Sequence, residues 1–200
     1  MQRSRELLGA DHPLTMFCLT GRALAAAWLG DIEAIRALRE DTLQRCREAI
    51  GPDHPTTLQL AACLTFSMAS GGQIQQARAL GEDTLRRSRA THGADHLITI
   101  AAGAVQAFAL ATSGEAAQAR VLGETTLRRA RAAFGSDNLI TLLSAAGLTL
   151  ALAALGQTVH GRAVGEDTLL RSRTTLGPNH PLTQSVARTL NATPHNPGAE

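Results

Sequence analysis

One heptapeptide recurs along the chain: GADHPLT at 9–15, GPDHPTT at 51–57, GADHLIT at 93–99, GSDNLIT at 135–141 and GPNHPLT at 177–183. Its glycines, Gly9, Gly51, Gly93, Gly135 and Gly177, are 42 residues apart every time. A second glycine column (Gly30, Gly72, Gly114, Gly156) keeps the same step. So does a third block: REDTLQRCR at 39–47, GEDTLRRSR at 81–89, GETTLRRAR at 123–131 and GEDTLLRSR at 165–173. Three columns in register restrict the chain to a repeat architecture in which each unit buries its apolar face on the next.

Each unit contains two helical stretches, A and B, divided by the mid-unit glycine and closed by the motif glycine, which suits a left-handed C′ position. Pro13, Pro55 and Pro181 read as first-turn residues of helix A, with the preceding Asp favouring the positive end of the helix dipole. Helix B reads with acids early (Glu82, Asp83; Glu166, Asp167) and arginines late (Arg87, Arg89; Arg171, Arg173), a polarity that suits the dipole. Glu82 with Arg86 and Glu124 with Arg128 have i,i+4 spacing for ion pairs. Composition agrees: 44% hydrophobic residues can form a core, while 2% aromatics and no tyrosine favour closely packed helices over a β-sandwich. All 19 basic residues are arginine, against 17 acids, a balance that does not select nucleic acid as a partner. The absence of lysine beside heavy Ala, Gly and Arg usage fits GC-rich coding and a bacterial source.

These units resemble the tetratricopeptide repeats of the 42-residue, kinesin-light-chain-like type found in actinobacterial proteins. The resemblance covers residues 1 to about 190. It implies an all-α fold, a right-handed superhelical solenoid of antiparallel helix pairs. Its divisions are a partial helix B at 1–8, repeats at 9–50, 51–92, 93–134 and 135–176, a half-repeat at 177–190, and a flexible tail at 191–200. It also implies a protein or peptide partner held on a concave surface lined by the A helices. Such repeats often follow nucleotide-binding regulatory domains. The start MQRSRELLG aligns with LQRCREAIG at 43–51, so the chain opens inside a helix B and reads as a piece of a longer protein.

No residue set points to catalysis, a metal or a cofactor. The Asp-His steps place adjacent residues that cannot converge on one ligand, and successive copies stand a repeat apart. They read as helix starts. His92, His160 and His195 are scattered. Cys18, Cys46 and Cys63 are an odd number without paired spacing, so they read as buried, inert thiols of a reducing, cytoplasmic chain with no secretion signal. Neither a phosphate-binding loop of the GxxxxGK type nor a GxSxG elbow occurs. Twelve arginines late in B helices stack along one edge, but loop aspartates adjoin them and no aromatics interleave, so a partly neutralised solvated face is expected rather than a nucleic-acid site. Segment 139–156 is 18 residues without a charge, yet it fills an A-helix slot and is expected to pack rather than to span a membrane.

The expected function is a non-enzymatic scaffold that binds an apolar or amphipathic protein segment in its concave groove. Self-association and a regulatory role in a longer nucleotide-binding protein are the alternatives. The resemblance places Phe17, Leu24, Trp28, Gln59, Phe66, Val105, Phe108, Leu143 and Leu150 on the groove. The family's asparagine pair is replaced by Thr20-Gly21, Ala62-Cys63, Ala104-Val105 and Ala146-Gly147, which removes any peptide-carboxylate clamp. What remains is an apolar column, Leu24, Phe66, Phe108 and Leu150, over a floor of small residues, expected to be an exposed contact stripe.

Overall fold

The computed structural model describes residues 9, 12–29, 31–36 and 40–193. Among them there are ten helices and no strand. They are α1 (Pro13–Leu29), α2 (Ile32–Arg36), α3 (Glu40–Ile50), α4 (Pro55–Ser70), α5 (Ile74–His92), α6 (Leu97–Thr112), α7 (Ala116–Phe134), α8 (Leu139–Ala154), α9 (Thr158–Thr175) and α10 (Pro181–Ala192). The A helices are α1, α4, α6, α8 and α10. The half-repeat helix thus runs to Ala192, two residues past the expected boundary at 190. The partial helix B expected at 1–8 and the tail from 194 lie outside the described residues.

The chain divides into two compact units, Met1–Ala102 and Gly103–Glu200. In the first, α4 is the central helix, packed against α1, α2, α3 and α5. Its core joins Met16, Leu19, Ile35, Leu43, Leu60 and Leu64. In the second, α8 packs against α7, α9 and α10. Leu127, Ala145, Leu148 and Leu152 form one apolar cluster there, and Leu110, Ala119 and Ala151 another.

The heptapeptide works as a helix start in a more specific way than its spacing implies. The side chain before the first helical residue is the cap: His54 Nδ1 accepts from Thr56 N at 3.2 Å, His180 Nδ1 from Leu182 N at 3.2 Å, and Asn138 Oδ1 from Ile140 N at 2.9 Å. His12 and His96 make the same bond to Leu14 N and Ile98 N. The motif threonine closes the loop from inside, Thr15 and Thr141 donating to the carbonyls of Gly9 and Gly135 at 2.9 and 2.7 Å. The motif glycine does not adopt the left-handed helical conformation expected of it. Gly93 has φ 83°, ψ 170° and Gly135 φ 79°, ψ 174°, a region open essentially to glycine alone.

Helix B departs from expectation at its start. It begins at Ile74, Ala116 and Thr158, so Glu82-Asp83 and Glu166-Asp167 fall near mid-helix and the first turn holds no acid. The preceding Gln73, Glu115 and Gln157 make no side-chain cap. The arginines are placed as expected, with Arg89, Arg131 and Arg173 in the last turns.

Backbones approach closely where side chains are small. A Cβ on Gly147 of α8 would lie 3.1 Å from the backbone nitrogen of Phe108 and 3.2 Å from its Cα, so α6 and α8 meet almost main chain to main chain. A Cβ on Gly123 of α7 would lie 3.3 Å from Leu148 Cβ. Buried threonines inside this packing donate to their own helix four residues back, as Thr65 to Ala61 O and Thr149 to Ala145 O. Thr141, Ser144 and Thr149 of α8 are all buried. No helix among the described residues is long and apolar enough to cross a membrane.

Candidate functional site

The candidate surface is the face of the A helices to which the repeat register assigns the groove residues. The structure covers most of it. Phe66, Val105, Phe108 and Leu143 retain only 5–7% of their surface. Gln59 and Leu150 are half-buried, and Phe17 on α1 is 66% exposed. The side chains of Leu24 and Trp28 lie outside the described residues. The expectation of an exposed stripe is therefore corrected at Phe66 and Phe108. In the second unit the close approach at Gly147 brings α8 directly onto the backbone of Phe108. The most open large apolar side chains of the described A helices are on α1, where Leu14 is 58% and Leu29 80% exposed, while Leu97 at the start of α6 is 45% exposed.

The arginine edge is an ion-pair network built twice, 84 residues apart. In the first unit Arg87 of α5 donates from Nε to Asp83 Oδ2 at 2.9 Å and from Nη1 to Asp53 Oδ1, in the loop before α4, at 3.0 Å. Arg86 also bonds Asp83, and Arg47 of α3 stands 3.9 Å from it. In the second unit Arg171 bonds Asp167 and Asp137, each at 2.8 Å, and Arg131 lies 3.6 Å from Asp167. Burial pushes the Asp83 carboxyl up, but hydrogen bonds and charge from Arg87 and Arg86 outweigh it and hold the group below the usual carboxylate range. The hydrogen bonds Arg87 donates to Asp53 and then to Asp83 raise its pKa, as those to Asp137 and Asp167 raise that of Arg171. Asp53 and Asp137 thus tie the motifs at 51–57 and 135–141 to helix B of their own repeats. The pairs expected from spacing are replaced: Arg86 turns to Asp83 instead of Glu82, and Glu124 reaches back to Arg120 at 3.9 Å.

Potential ligating groups do not assemble. Among the described residues no three His, Cys, Asp or Glu side chains are grouped to hold a metal. The rings of His92 and His96 stack at 4.7 Å, and His92 Nε2 is buried without a partner. His160 is exposed, and His195 lies outside the described residues. Cys46 and Cys63 are buried as expected, and burial raises both thiols, Cys63 to about 12. Cys18 corrects the expectation of three buried thiols: it faces outward on α1. One open depression of about 670 Å³ lies between α3 and α5, floored by Leu43, Met68 and Leu80 and rimmed by Arg45, Arg47 and Asp83.

Comparisons with known proteins agree with this architecture. Residues 18–56 and 57–98 match the tetratricopeptide repeat family. A crystal structure of nearly identical TPR-like repeats, from a protein of Podosopora anserina described as a kinesin light chain, superposes with a TM-score of 0.61 at 22% identity. That match covers 87% of this chain and 82% of the other. No curated protein sequence matches the chain. Tetratricopeptide repeats mediate protein–protein interaction, and this fold is ordinarily a non-catalytic scaffold. A 42-residue helical hairpin recurs in both units, residues 18–98 match tetratricopeptide repeats, and the chain has an all-α, TPR-like fold.

Proposed function

We propose that the chain is a non-enzymatic interaction scaffold that holds an apolar or amphipathic segment of a partner protein on its A-helix face. The observation that carries this reading is Phe17, a large aromatic side chain left 66% exposed on the first A helix, beside the exposed Leu14. Exposed apolar clusters of this kind mark contact surfaces. The A helices carry little charge: the segments at 55–72, 97–114 and 139–156 contain none, α1 carries only Arg22 and α10 only Arg188. On this reading Phe17 is the anchor, and the half-buried Gln59 of the same unit contributes where partner atoms reach it. No catalytic residue, cofactor or metal enters the function.

The test is site-specific photocross-linking in the source cell, with p-benzoylphenylalanine at position 17 and, as control, at Val121, which is 59% exposed on α7 of helix B type. The scaffold reading expects a discrete protein adduct from position 17, identified by mass spectrometry, and none from 121. Adducts from 121 alone overturn it. An adduct at 17 consisting of a second copy assigns the face to self-association and overturns it as well.

A further inference from the structure

The A-helix starts use two kinds of cap at register-equivalent positions, and only one kind can change its protonation. His12, His54, His96 and His180 offer Nδ1 to the backbone N–H of Leu14, Thr56, Ile98 and Leu182 at 3.2–3.3 Å. In the fourth repeat Asn138 offers Oδ1 to Ile140 N at 2.9 Å. A ring nitrogen that accepts leaves the proton on Nε2, so each of these histidines caps as the neutral imidazole. The protonated ring has two donors and no acceptor. No rotation of it restores the bond, and its charge then stands at the positive end of the helix dipole. The asparagine oxygen keeps its lone pairs over the same pH range.

The surroundings of the histidine caps differ while the bond does not. Beside His54 is Asp53, held by Arg87 of α5, with Asp83 of α5 and Arg47 of α3 in the same network. The other helices packed on α4 carry Arg22 in α1 and Glu33 and Arg36 in α2. Beside His96 is Asp95, and the ring of His92 from α5 stacks on it at 4.7 Å with Nε2 buried and unpartnered, so protonating both rings would set like charges face to face. His180 is 5% exposed and follows Asn179; α8 contains no charged residue, α9 ends with Arg171 and Arg173, and α10 itself carries Arg188. What the three sites share is the Nδ1 lone pair. The residues whose amides it holds, Thr56, Ile98 and Leu182, are all buried.

We infer that these histidines form an acid-released latch on the A helices: α4, α6 and α10 are held at their first turns while His54, His96 and His180 are neutral, and are released as pH falls through the histidine range, whereas α8, starting on Asn138, stays capped. The cap exists only with Nδ1 unprotonated, so its contribution is complete above that range and lost below it. This device is independent of the scaffold reading, which needs no titrating group.

The experiment is amide hydrogen exchange by NMR on the full chain at pH 7 and pH 5, with protection at Thr56, Ile98, Leu182 and Ile140 corrected for intrinsic exchange, in the unchanged protein, His54→Asn and Asn138→His. Both substitutions use residues that the motif already accepts at this position, so circular dichroism at pH 7 should be unchanged. On acidification, protection at Thr56, Ile98 and Leu182 is expected to fall about five-fold more than at Ile140, the weight of one cap. His54→Asn should remove the acid loss at Thr56 alone, and Asn138→His should confer one on Ile140. The inference is overturned if Ile140 loses protection in step with the others in the unchanged protein, if Thr56 keeps its acid loss in His54→Asn, or if Asn138→His leaves Ile140 indifferent to pH.

Discussion

Gln106 sits where the repeat wants leucine. The equivalent positions in the second and fourth repeats are Leu64 and Leu148, 3% and 2% exposed, and Gln106 is itself only 4% exposed. Its side-chain oxygen is buried without a hydrogen-bond partner in the chain. Leaving such an atom unpaired costs about 1–3 kcal/mol, and leucine has nearly the same volume as glutamine, so Gln106→Leu removes the cost without forcing the core apart. The expected gain is therefore about 1–3 kcal/mol. At about 2–4 °C per kcal/mol for a chain of this length, the midpoint should rise by about 2–12 °C in scanning calorimetry or thermal circular dichroism. The reverse exchange, Leu148→Gln, should lower stability by about 2–4 kcal/mol, because it loses buried apolar surface and gains an unpaired amide. The reasoning is refuted if Gln106→Leu leaves the midpoint unmoved or lowers it while Leu148→Gln behaves as expected. In that case the glutamine amide is satisfied, and the unpaired oxygen does not measure the cost.

Opposite signs are expected for one substitution at two equivalent glycines. Gly147→Ala pushes a methyl against the Phe108 backbone and should cost about 1–3 kcal/mol, outweighing its helix-propensity gain, while Gly21→Ala meets open space and should gain about 0.5–1 kcal/mol; urea titration of both variants checks the pair. Phe66→Asp with Phe108→Asp should abolish helical circular dichroism at ambient temperature, because two buried carboxylates without partners cost several kcal/mol against a total of roughly 5–15; a folded double variant would contradict the burial of these rings. Under native conditions Ellman's reagent should titrate one thiol rapidly, Cys18, with Cys46 and Cys63 reacting only as the chain opens, so three fast thiols would count against the packing. With Cys63 raised from an ordinary 9.0 to about 12, the folded chain keeps a proton that the unfolded chain loses, so this group's stabilisation is full below pH 9 and declines as pH rises towards 12. The chain has no lysine or tyrosine to mask that decline; Cys46, also raised by burial, adds to it with the same sign, so Cys63→Ala should lessen the decline and Cys63→Ala with Cys46→Ala lessen it further.

The period, the hairpin and the helix starts follow directly from sequence because they depend on backbone chemistry that repeats: glycine at positive φ, proline in the first turn, a polar side chain before it. The identity of the capping side chain, however, does not follow from the pattern. Aspartate is a common cap, but here the following residue, His54 or Asn138, accepts the backbone N–H, and Asp53 and Asp137 are drawn instead to Arg87 and Arg171, 34 residues on. A contact at that separation leaves no local periodicity. The same holds for helix B, whose uncapped starts at Gln73, Glu115 and Gln157 have no side-chain signal, so the conspicuous acids nearer mid-helix are mistaken for the first turn.

The groove residues expose a deeper limit. Register determines which face of helix A a side chain occupies, and that much is sound. Whether the face is open depends on how near the neighbouring helix comes, and this is set by residues elsewhere: Gly147 lets α8 close onto Phe108, so the aromatic column becomes interior packing in the second unit. On α1 the face is the same while the residues differ, with Gly21 open to solvent and Arg22 in the leucine column. Periodicity averages over such columns and treats Arg22, Leu64, Gln106 and Leu148 as one position. The physical content lies in their differences: leucine is buried by a neighbouring helix, glutamine is buried at a cost, and arginine stays exposed where its charge keeps its solvent.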